Sequence, residues 1–126
     1  MQETVYHPGH YRVALARTKE QLPPDPQAVT RDTDKGPWSV SAPISNPLLS
    51  GVLADGLFVH TSKQADPWET DVMIPNFNCD RCVLQITQFM AEHGSNKDGG
   101  YYYHHCADLQ IAADASKPLD PNWTKR

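Results

Sequence analysis

Apolar and polar residues alternate in five short stretches of the chain, with turn-forming residues between them. Tyr11, Val13 and Leu15 fall on one face and Arg12, Ala14 and Ala16 on the other, the period of two that a half-buried strand requires. Pro8 and Gly9 bar a regular central strand just before this run, so His7 lies on a turn and His7 and His10 sit at the lip of the strand. There they read either as surface histidines or as side chains within reach of a metal. A second strand is entered through Leu53-Ala-Asp-Gly56, with Leu57 and Val59 opposed to Phe58 and His60. Trp68, Thr70, Val72 and Ile74 alternate with Glu69, Asp71 and Met73 and predict a third, ended by Pro75. The fourth covers residues 82–89, and the fifth, 106–112, turns Ala107, Leu109 and Ile111 toward the core.

Gly94, Asp98, Gly99 and Gly100 mark a polar loop between the last two runs, as in a long-looped hairpin or two neighbouring strands. Elsewhere the alternation dissolves. Pro23, Pro24, Pro26, Pro37, Pro43 and Pro47 exclude a long helix from residues 17–54, which are expected to form a long irregular loop. Trp38 either anchors that loop to the core or stands exposed to stack on a partner. Residues 114–126 read as a frayed tail. Short strands, frequent turns and little helix predict an all-β fold, a sandwich of antiparallel sheets. Five strands are few for two layers, so residues 1–126 are expected to be a single domain that is incomplete on its N-terminal side.

Composition narrows the function classes. With 126 residues, 39% hydrophobic, the chain can bury a modest core. A net charge of −4 and the lack of a basic stripe argue against nucleic acid and against an anionic membrane surface. No apolar run approaches the roughly 20 residues that span a bilayer. Met1-Gln-Glu-Thr offers neither the charged leader nor the apolar core of a signal peptide. Nothing is spaced as a catalytic triad, a paired-carboxylate site or a phosphate loop.

The chemistry concentrates between Cys79 and Ile111. Three cysteines allow one disulfide and a leftover thiol, or a metal or redox use of Cys79-x-x-Cys82. Of His104 and His105, alternation turns one inward, to a hydrogen-bonded place in the structure, and the other outward. Tyr101, Tyr102 and Tyr103 read as a packed strand edge or as a flat face for stacking on sugar rings.

Cys82-Val-Leu-Gln together with Tyr103-His-His-Cys106-Ala-Asp-Leu-Gln-Ile111 resembles the closing half of lytic polysaccharide monooxygenases and their bacterial monooxygenase-like relatives. His7-Pro-Gly-His10-Tyr-Arg-Val and Leu53-Ala-Asp-Gly-Leu-Phe-Val-His60-Thr are similar to further stretches of that group, so the likeness covers roughly residues 4–16 and 53–112. The resemblance implies a secreted protein, extracellular or periplasmic, on an immunoglobulin- or fibronectin-III-like β-sandwich. It further implies a copper cofactor and a polysaccharide partner of the chitin or cellulose class, oxidised or merely bound by a monomer. Copper in this family is held by a brace, the amine and imidazole of an N-terminal histidine plus a second imidazole. Carried onto this sequence, the second imidazole is His7, with His10 as its alternate, and Tyr103, three residues before Cys106, lies on the axial side of the metal. Tyr101 stands where some members carry glutamine, and Tyr101, His104 and His105 are the candidates to support the metal's ligands from behind. Met1 is not a histidine, so copper is expected to bind weakly, through His7 with help from His10, His104 or His105. Neighbouring strands would let Cys106 pair with Cys82 or Cys79, and Cys82–Cys106 is the pairing favoured. The whole reading requires His7 and Tyr103 to converge in space.

Overall fold

The computed structural model describes residues 1–3, 5–98 and 100–124; Thr4, the loop glycine Gly99 and the tail residues Lys125 and Arg126 lie outside the described residues. Six strands form among the described residues: β1 (Gly9–Ala16), β2 (Val29–Thr33), β3 (Gly36–Ser41), β4 (Val52–His60), β5 (Cys79–Met90) and β6 (Tyr102–Ile111). One turn of 3-10 helix (Lys19–Gln21) follows β1, and a single helical turn, α1 (Pro121–Thr124), lies at the C-terminal end. The strands make a four-stranded antiparallel sheet, ordered β4-β1-β5-β6, and a two-stranded antiparallel sheet of β2 and β3. The all-β reading stands.

Alternation divides the large sheet into two faces. Tyr11, Val13 and Leu15 of β1 oppose Gln88, Ile86 and Leu84 of β5, which oppose Tyr103, His105 and Ala107 of β6. At one end of this first face lies the apolar core, Leu15, Phe77, Cys79, Cys82 and Trp123, packed by Leu53, Leu84, Leu109 and Ile111. The second face carries His10, Arg12 and Ala14, then Phe89, Thr87 and Gln85, then Tyr102, His104 and Cys106. A proline strap, residues 23–26, crosses it. Buried Arg12 donates to the carbonyls of Pro24 and Pro23 at 3.1 and 3.3 Å, and Tyr102 Oη donates to that of Pro26 at 2.6 Å.

Four expectations need correction. Residues 68–74 alternate but form no strand. A strand needs a partner edge, and the Trp68 backbone instead exchanges hydrogen bonds with Met1 while its ring packs on Phe58 and His60, centroids 5.6 and 4.7 Å away. Residues 17–54 are not wholly irregular, since β2 and β3 form a hairpin there and β4 begins at Val52. Most of that hairpin is solvent-facing on both sides, so it shows no hydrophobic alternation to read. The tail is not frayed throughout: Trp123 is buried and stacks on Phe77 at 5.0 Å.

The fourth correction concerns the cysteines. Cys79 is bonded to Cys82, and Cys106 is free and exposed. Cys82 stands opposite Leu109 on the core face, whereas Cys106 stands opposite Gln85 on the other, so a Cys82–Cys106 bond would have to pass through the sheet. A bulge between Cys79 and Cys82 brings their sulfurs together on one strand. Both sulfurs being engaged, this pair holds no metal as it stands.

Candidate functional site

The site begins with the chain entering β1. Gly9 has φ +147°, and a Cβ there would lie 1.9 Å from the carbonyl oxygen of Phe89, so only glycine lets β1 approach β5 this closely. Next to it, the Pro8 carbonyl accepts a hydrogen bond from Ala91 N–H at 2.8 Å. These two contacts hold His7 over the end of β5 and β6. Tyr103 rises from β6 on the same face, and the two rings lie with centroids 6.1 Å apart. Residues separated by most of the chain therefore meet at one end of the sheet.

A third ring joins them. His93, in the loop after β5, stands edge-on to His7 with centroids 5.0 Å apart and planes at 79°. Its backbone is clamped by Ser39 of β3: the Ser39 N–H donates to the His93 carbonyl at 2.9 Å, and the His93 N–H donates to Ser39 Oγ at 3.2 Å. Ser39, fully buried, also donates from Oγ to the Met90 carbonyl at 2.6 Å. The next residue, Gly94, bridges to Trp38, so the β2–β3 hairpin fixes the loop.

Below this cluster opens a cleft of about 640 Å³, lined among others by Glu3, His7, Gln88, Tyr103 and His105. Its inner wall is a polar knot. Glu3 Oε1 accepts from Tyr11 Oη at 3.1 Å, from Gln88 Nε2 at 3.0 Å and from His60 Nε2 at 3.0 Å. Burial and the Glu3 carboxylate push the Tyr11 hydroxyl well above the ordinary tyrosine value, so it remains a donor. His7 is held below its ordinary value, first by burial and then by His93, with Glu3 pulling weakly upward. That shift favours the neutral imidazole, the form that can offer a lone pair to a metal.

The other sequence candidates part company here. His10 turns to the second face, where its ring packs on Phe89 at 5.3 Å and Nε2 lies 3.9 Å from Asp55 Oδ1, so the alternate ligand is not beside His7. His104 also borders the cleft, but its ring turns to that second face, with Nε2 donating to both oxygens of Asp25 at 2.9 and 2.7 Å. His105 is exposed and lies on the cleft side. Tyr101 leaves the cluster, its Oη donating to the Pro37 carbonyl at 3.1 Å. His93, Glu3 and His60 went unread in the sequence as parts of a site. No local pattern marks them, because only the folded sheet assembles them.

Among the described residues, no group of three or more His, Cys, Asp or Glu side chains is arranged to hold a metal ion. The chain's own donors at the cluster are two imidazoles and a phenol, which suit copper by type without closing a cage around it. Among the described residues, no helix is long and apolar enough to cross a membrane. In comparisons with known proteins, no family model, no curated protein and no solved structure matched the chain.

Proposed function

We propose that the chain is a copper protein of the lytic polysaccharide monooxygenase type, oxidising a polysaccharide of the chitin or cellulose class. One observation carries the reading: His7 and Tyr103, the residues that the resemblance assigns to the metal, lie 6.1 Å apart although 96 positions separate them in sequence. In this reading the four-stranded sheet is one layer of an immunoglobulin-like sandwich. The half-open cleft over Val13, Leu84 and Ile86, about 700 Å³, lies on the face that such a layer turns inward. A secreted location belongs to the same reading.

Bound copper would supply one-electron redox chemistry at nitrogen ligands with open positions for an oxidant. The chain's own residues have simpler tasks. His7 presents a neutral imidazole from a segment tied down through Pro8 and Gly9. Tyr103, 43% exposed, offers part of one ring face to solvent, where a sugar ring can stack beside the metal. Tyr11, Gln88 and His60 bind the Glu3 carboxylate, so the first residues of the chain stay against the sheet and wall the cleft.

The test is product analysis. Supplied with the N-terminal histidine that the brace requires, loaded with copper and given reductant and peroxide over chitin or cellulose, the protein is expected to release oxidised oligosaccharides, and its His7→Ala variant to release none. Protein that binds copper at His7 yet yields no oxidised product supports a second reading, a copper-binding or carbohydrate-binding module without turnover. Copper bound equally by His7→Ala would defeat both.

A further inference from the structure

We propose that His93 is a metal ligand, binding through Nε2 beside His7; the inference rests on the copper reading above and adds a residue that the resemblance does not supply. Three observations carry it. The first is proximity: the His7 and His93 imidazoles lie 5.0 Å apart between centroids, with the Tyr103 ring 6.1 Å from His7.

The second is tautomer. His93 Nδ1 faces the carbonyl oxygen of Gly94, which can only accept, so Nδ1 carries the proton. Nε2 is then the nitrogen on the free edge of the ring, and a backbone carbonyl behind one nitrogen is the usual support for metal ligation through the other. The Gly94 carbonyl thus fixes which nitrogen a metal would meet.

The third is rigidity. A loop histidine ordinarily samples many positions, and ordering it on binding would cost entropy. Here the His93 backbone is bonded through both its N–H and its carbonyl to Ser39, and Glu92 N–H donates to the Ser39 carbonyl at 2.8 Å. Ser39 is itself buried in the β3 strand. The hairpin that sequence reading took for loose chain thus holds a ligand in place. Two imidazoles fixed on separate supports, with a phenol nearby and solvent on the cleft side, leave coordination positions for other ligands.

The experiment is Cu(II) titration of the full chain followed by pulsed electron paramagnetic resonance, which counts coupled imidazoles. Wild type is expected to show two equivalent or near-equivalent imidazoles. His93→Gln should show one, with affinity lower by about tenfold or more. In His93→Gly, added free imidazole should restore the second coupling, a rescue that a merely structural role for the side chain would not produce. If His7→Ala abolishes binding while His93→Gln leaves the spectrum and affinity unchanged, the proposal is overturned and the copper reading stands. If copper binds with no dependence on His7, both fall together.

Discussion

Ser39 holds more of the site than its size suggests. It is fully buried, and its hydroxyl donates to the Met90 carbonyl and accepts from His93 N–H. Ser39→Ala leaves that carbonyl and that N–H short of a partner, and is expected to cost about 1–2 kcal/mol in chemical unfolding. His10 supplies a pH dependence at the same scale. Burial holds it below its ordinary value of 6.5, with Asp55 raising it and Arg12 lowering it by smaller amounts. The folded chain thus binds this proton less readily than the unfolded chain does. Stability carried by neutral His10 is complete above about 6.5 and is lost as pH falls from there through the lower folded value. Denaturant midpoints either side of that value should drop on the acid side, and the drop should shrink in His10→Gln; an equal drop in both proteins would remove His10 as the cause.

Among the elements, the proline strap over the second face is held at points that single substitutions can release. Tyr102 is buried, its hydroxyl pushed up to about 12 by burial and by Asp25, and it donates to the Pro26 carbonyl. Tyr102→Phe is expected to cost about 1 kcal/mol, read as a lowered unfolding midpoint. An unchanged midpoint would show that the bonds from Arg12 to Pro23 and Pro24 suffice to hold it. The strands β1, β4, β5 and β6 were legible because apolar residues alternate along part of each, although β1 is buried on both faces and most of β6 is exposed. The β2–β3 hairpin was not, since its strands are held by backbone pairing and by Ser39 rather than by an apolar face. Residues 68–74 show the converse: Trp68 and Val72 are half-buried but Thr70 and Ile74 of the same set are exposed, and side-chain periodicity says nothing about whether an edge is free to pair.

For the whole molecule, the two ends of the chain are structural parts. Trp123 stacks on Phe77 in the core and its carbonyl accepts from Arg17 Nη2 at 2.8 Å, while Glu3 ties the other end to β1, β4 and β5. Trp123→Ala is expected to cost about 3 kcal/mol or more, read as a lowered unfolding midpoint. The site is divided likewise. His7 and Tyr103 carried a resemblance in sequence, whereas His93 acquires its place only when the β2–β3 hairpin docks on the loop after β5. A motif records chemistry, but not which loop another element will fix beside it.

The most direct measurement of that convergence is paramagnetic broadening in nuclear magnetic resonance, with Cu(II) added well below one equivalent. Ring and backbone signals of His7, His93 and Tyr103 should vanish first, with those of His10 and His104 persisting on the opposite face of the sheet. Broadening centred on His104, His105 and the free thiol of Cys106, or spread evenly over all the histidines, would contradict the site described here.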